Sequence, residues 1–276
     1  MAIESPWENY FKGIGEGLGT TYERFILHRY FERLREEFDI ENVLESPSFG
    51  ITGLSGINSL WWATHDIPVT LVDENERRLE LIKELWSGIS VKGDFLLVKD
   101  YGSLPFKQKR FDMSWTFCGL GWVQNLNRCL EELTRVTRRV IFICLPNKWG
   151  LGYRVRYGFR KDRREGPSMK NGSPGKITAI MNPFGWECRD RGHFDVPPWP
   201  DIAMKKEEFL KKLGLGWFSG MLMKRDCAGI SILDYFKGDK DMERRIMKYS
   251  FLENSPAIFK KFWAHHEYLL FSPKES

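Results

Sequence analysis

Three glycines, Gly50, Gly53 and Gly56, stand at three-residue intervals directly after the short apolar run 42–45, and three such runs end at or beside an acid: Glu45, Asp73 and Asp100. A glycine turn between a strand and a helix lets a ligand touch the backbone, because glycine has no Cβ and tolerates positive φ. A dinucleotide turn reads G-x-G-x-x-G and seats a pyrophosphate on the helix N-terminus. Here the turn reads G-x-x-G-x-x-G behind Glu45, a carboxylate that would repel a pyrophosphate and suit a ligand carrying a cation. Asp73 is placed to accept two hydrogen bonds from a ribose diol, and Asp100 to meet the exocyclic amine of an adenine. Steric punctuation for the glycines and helix capping for the acids are the plain alternatives.

The elements that must position these groups follow from hydrophobic period. Thr20 opens a Thr-x-x-Glu capping box with Glu23, and Tyr22, Phe25, Ile26, Tyr30, Phe31, Leu34 and Phe38 recur at helical spacing. Apolar or β-branched runs at 42–45, 68–72, 95–98, 111–117 and 140–145 read as strands. Between them, 57–64, the Leu79, Ile82, Leu85, Trp86 face and the Leu126, Cys129, Leu130, Leu133, Val136 face read as helices. This alternation predicts an α/β, doubly wound, mainly parallel sheet. Residues 150–175 lack a sustained apolar period and read as a long loop or lid. Beyond them, 186–196 reads as a strand, 204–213 as a short helix, 244–265 as one or two helices, and 268–271 as the closing strand.

The stretches 43–63 and 69–73, and Asp100-Tyr101-Gly102-Ser103-Leu104-Pro105-Phe106 followed by Arg110-Phe111-Asp112, resemble the successive motifs of class I S-adenosylmethionine-dependent methyltransferases. The D-x-x-x-L-P-F then F-D portion is the most specific. The resemblance implies a Rossmann-like fold with S-adenosylmethionine as cofactor. It implies that Glu45 and the glycines hold the methionine moiety, Asp73 the ribose, and Asp100 with Tyr101 the adenine, with Phe117 and Cys118 beside the cofactor. Ser46-Pro47-Ser48-Phe49 lengthen the turn relative to the family's acid-x-Gly-x-Gly-x-Gly pattern. The expected organisation is an N-terminal helical extension (1–41), a cofactor-binding core (42–149), and a region of lid, final strands and helical cap insertion (150–276).

For the rest of the chemistry the chain offers less. His193 is the candidate proton acceptor, with a structural hydrogen-bonding role as the alternative; His265 and His266 read as structural. In the segment 153–164, Tyr153, Arg154, Arg156 and Arg160 could grip an anionic acceptor, or form a solvated basic face. A small-molecule acceptor is expected, with RNA methylation as the runner-up. A non-catalytic binding protein on the same fold is the reading from another class. The net charge of +5 over 276 residues is too mild to argue for nucleic acid by itself. The five cysteines, Cys118, Cys129, Cys144, Cys188 and Cys227, form no C-x-x-C pair and no short Cys/His cluster, so no metal site is expected. No secretory leader or bilayer-length apolar run is legible, and a cytoplasmic location is expected.

Overall fold

A computed structural model describes residues 17–49, 56–157, 171–196 and 230–274. Seven strands form one sheet: β1 (Val43–Glu45), β2 (Val69–Asp73), β3 (Asp94–Leu97), β4 (Phe111–Phe117), β5 (Thr137–Pro146), β6 (Trp186–Phe194) and β7 (His266–Pro273). Their spatial order is β3-β2-β1-β4-β5-β7-β6. The first five run parallel, and β7 enters antiparallel between β5 and β6. This is the Rossmann-like doubly wound sheet of the class I methyltransferase fold.

Burial on both faces explains the strand sequences. β4, FDMSWTF, is buried at every position, as a strand covered on each side by crossover helices must be. In β5 the period of two sorts the side chains. Val140, Phe142 and Cys144 join the cluster under α1 (Gly17–Phe38) and α2 (Leu60–Thr64); Ile141, Ile143 and Leu145 join the one under α4 (Leu126–Val136). Two helices in the sheet crossovers have asparagine caps: Asn75 accepts the Arg78 N–H at the start of α3 (Glu76–Gly88), and Asn125 that of Arg128 at the start of α4.

Three expectations need correction. Thr20 lies inside α1, and Glu23 bonds His266 instead of capping its own helix. Segment 150–175 is not all loop: α5 (Leu151–Tyr157) lies in it, and α6 (Pro174–Met181) starts at its end with proline in the first turn, where no N–H is needed. The closing strand is longer than expected, because His266 and Glu267 are buried by the elements around the strand entrance rather than by apolar character. Between β6 and β7 the described chain is helical, with α7 (Ile232–Phe236), α8 (Asp241–Ile246), a 3-10 stretch Met247–Asn254 and α9 (Ala257–Trp263). The expected helix at 204–213 lies outside the described residues. No described helix is long and apolar enough to cross a membrane.

The F-D pair has a structural task. Asp112 is fully buried, accepts the Glu41 N–H at 3.1 Å, and pairs with Arg138 and, at 3.0 Å, with Arg139. It ties the entrance of β1 to β4 and β5. Asp112→Ala should cost about 2 kcal/mol in urea unfolding, moderated because both arginines can reach water.

Candidate functional site at the strand tips

The parallel strands deliver their C-terminal ends to one edge of the sheet, where ligands of open α/β sheets bind. Glu45 closes β1, Asp73 closes β2, Asp100 and Tyr101 follow β3, and Phe117 closes β4 with Cys118 directly after it. The topology brings the expected groups together, but their environments differ sharply.

Glu45 is 2% exposed and accepts the Ser59 hydroxyl at 2.6 Å. Ser59 Oγ in turn accepts the Trp115 indole N–H at 3.2 Å. Burial pushes the Glu45 carboxyl up to about 8, despite the hydrogen bonds from Ser59 and the Gly56 N–H that favour its charge. Gly56 has φ +69°, and a Cβ there would stand 2.7 Å from Leu71 Cδ1, so close packing on β2 requires glycine. Gly50 and Gly53 lie outside the described residues.

Asp73 has no exposure. It takes Arg78 Nη2 at 2.6 Å, Arg78 Nε at 3.1 Å, the Ser48 hydroxyl at 3.1 Å and the Asn75 N–H at 2.8 Å. The Arg78 guanidinium stacks 4.0 Å above the Phe49 ring. The additional turn residues thus have a visible role. Ser46 N–H bonds Trp115 C=O, Ser48 N–H bonds Val72 C=O, and Pro47 C=O accepts the Thr116 hydroxyl. Together they lay the chain across the tips of β2 and β4. The contact is close enough that a Cβ on Gly119 would meet Phe49 O at 2.8 Å.

Asp100 is exposed, with one oxygen accepting the Gly102 N–H at 2.8 Å. Tyr101 is buried, and its hydroxyl accepts the Glu74 N–H at 3.1 Å beside the end of β2. Tyr153 is half-buried and Arg154 exposed on α5; Arg156 shares that helix, and Arg160 lies outside the described residues. His193 is half-buried on edge strand β6, in register with Glu267, and burial lowers its pKa.

A second constellation was not legible as a site. Glu23 from α1, Asp195 just after β6 and His266 at the start of β7 converge beside Cys118, all of them buried. His266 Nε2 lies 2.8 Å from Glu23 Oε2 and 3.7 Å from Asp195 Oδ2, with its Nδ1 3.5 Å from Cys118 Sγ. His265 Nδ1 lies 2.9 Å from Asp195 Oδ2, and the Phe117 ring centroid is 4.8 Å from that of His266. Glu253 accepts the Val196 N–H and the Tyr22 hydroxyl nearby, and burial pushes its carboxyl up to about 7. Phe117 and Cys118 therefore connect the strand tips to this cluster. The adjacent histidines ahead of the last strand were the only local signal.

Residues 50–143 match the family model described as a methyltransferase domain. No curated protein matches the chain. Among solved structures, the [4+2]-cyclase SpnF is 14% identical, with 90% of this chain covering 81% of that one at a TM-score of 0.50. The YcgJ protein from Bacillus subtilis is 11% identical, with 90% covering 99%, also at 0.50. A chain of the complex between the Haloferax volcanii Trm112 methyltransferase activator and a methyltransferase is 10% identical, with 94% covering 93%, again at 0.50. At these identities the likeness shows the fold.

Proposed function

We propose that the chain is a class I S-adenosylmethionine-dependent methyltransferase, a reading supported by the methyltransferase-domain match over residues 50–143, and that it methylates a small, anionic acceptor. The observation supporting this reading is that the match runs from ahead of β2 into β5, along strands whose C-terminal edge bears Asp73, Asp100 and the Phe117–Cys118 step. Two features of that edge fit a polar ligand. Asp100 presents its carboxylate to solvent, and the Ser46 hydroxyl, wholly buried one residue beyond Glu45, has no hydrogen-bond partner. Asp73 is already engaged, so contact with a ribose would require Ser48 to give up its bond.

The cofactor supplies an electrophilic methyl group on a sulfonium. Such a transfer asks the protein chiefly to align the acceptor and exclude water. In this reading Asp100 with Tyr101 borders the adenine end, while the β1 tip, with Glu45 and Ser46, borders the methionine end, to which the glycines Gly50, Gly53 and Gly56 are also assigned. His193, kept toward its neutral form by burial, takes a proton where the acceptor must lose one. Arg154, Arg156 and Arg160 hold the acceptor's anion, with Tyr153 alongside.

Calorimetry with S-adenosylmethionine should show binding that Asp100→Ala weakens. Changing Arg154, Arg156 and Arg160 together to alanine should reduce methyl incorporation into metabolites from labelled cofactor while leaving cofactor affinity unchanged. An equal loss of both would defeat the acceptor assignment. One observation favours a non-catalytic role on the same fold: the sealing of Asp73 by Arg78 and Ser48. Absence of any cofactor binding would select that reading.

A further inference from the structure

We propose that Glu23, Asp195 and His266 form a binding site for a divalent metal ion of the zinc or manganese type, at the end of β4 and independent of the methyl donor. The three residues come from segments remote in sequence, and one donor atom from each lies within 4.8 Å of the others. Two cis ligands on an ion with bonds of roughly 2.1 Å stand about 3 Å apart. The observed separations from His266 Nε2, 2.8 Å to Glu23 and 3.7 Å to Asp195, are near that figure.

The second observation concerns satisfaction. Glu23 is 5% exposed and Asp195 1% exposed, yet Glu23 Oε1 and Asp195 Oδ1 are both buried without a hydrogen-bond partner. A network of histidine–carboxylate bonds alone leaves both oxygens unsatisfied, which buried carboxylates seldom tolerate. Bidentate carboxylate ligation, or a water held on the ion, would give each of these second oxygens the partner it lacks.

The surroundings are those of a metal-binding histidine. Cys118 Sγ lies against Nδ1 of His266 and can accept its N–H, leaving the Nε2 lone pair for the ion, while His265 holds Asp195 from outside. One imidazole with two carboxylates suits zinc or manganese, and three protein ligands leave coordination positions for water or an acceptor. Cysteine and histidine spacing could not reveal such a site, since its donors are brought together by α1, β6 and β7; the expectation of no metal rested on that spacing.

The test uses the full chain, stripped with a chelator, reloaded separately with Zn²⁺, Mn²⁺ or Co²⁺ and desalted, with no methyl donor present. About one equivalent of metal should remain by elemental analysis. The Co²⁺ form should show visible d–d bands, and X-ray absorption on the Zn²⁺ form should show nitrogen and oxygen donors including one imidazole. Glu23→Gln and Asp195→Asn, checked for native circular dichroism, should weaken retention by about 100-fold or more. Asp190→Asn, on β6 outside the cluster, should retain metal as the parent does. Negligible retention by the parent, retention unchanged in both ligand variants, or a sulfur-dominated donor set would overturn the proposal; the donor set of the parent decides even if the variants fail to fold.

Discussion

Asp73→Asn should lower the unfolding free energy by about 3–5 kcal/mol, seen as a reduced urea midpoint with an unchanged slope. The substitution removes the charge facing Arg78, whose side chain is only 9% exposed and which bonds Asp73 through both Nε and Nη2. The guanidinium would stay buried against Phe49 without its counter-charge. Removing both members should cost less than removing Asp73 alone. Asp73→Asn with Arg78→Met, which refills the volume with an apolar chain, should therefore recover much of the loss. Ser48→Ala, which removes one neutral donor, should cost about 1 kcal/mol. A near-native midpoint for Asp73→Asn together with lost cofactor binding would instead make this carboxylate chiefly a ligand contact.

Glu45→Gln should stabilise the protein at alkaline pH, by about 3 kcal/mol at pH 9, with little effect near pH 5. The sign follows from the direction of the shift. Burial raises the folded-state pKa to about 8, above the ordinary 4.5, so the folded chain binds the extra proton between these values. Stability from this group is present below pH 4.5 and declines as pH rises through 8. Glutamine keeps an oxygen for Ser59 and the Gly56 N–H and removes the charge that burial opposes. A residual decline up to about pH 7 should persist in the variant, because burial raises Glu253 in the same sense. Parallel pH profiles for parent and variant would show that Glu45 does not experience the burial argued here.

The strands and crossover helices were legible because each is a local event. The limits of β4 follow from its apolar run, which is bounded by Arg110 and the Cys118-Gly119 turn. The α4 face was equally plain: Leu126, Cys129, Leu130, Leu133 and Val136 repeat at helical period, and all are buried. The Thr20 and Glu23 pairing misled because a capping box is recognised by residue types alone. What decides Glu23 is a histidine 243 positions away.

The order of acids along the chain, Glu45, Asp73 and Asp100, determined that they would meet at one edge of a parallel sheet, because every strand–helix–strand unit returns its strand end to the same side. Their protonation and freedom to touch a ligand were decided only in three dimensions. Desolvation and pairing depend on what folds over a group: Trp115 and Ser59 enclose Glu45, Arg78 and the Ser46-Pro47-Ser48-Phe49 segment enclose Asp73, and among the described residues nothing comparable covers Asp100. The convergence of Glu23, Asp195 and His266 was likewise a product of packing, since no spacing rule links residues that meet only when α1 closes over the antiparallel β6–β7 pair.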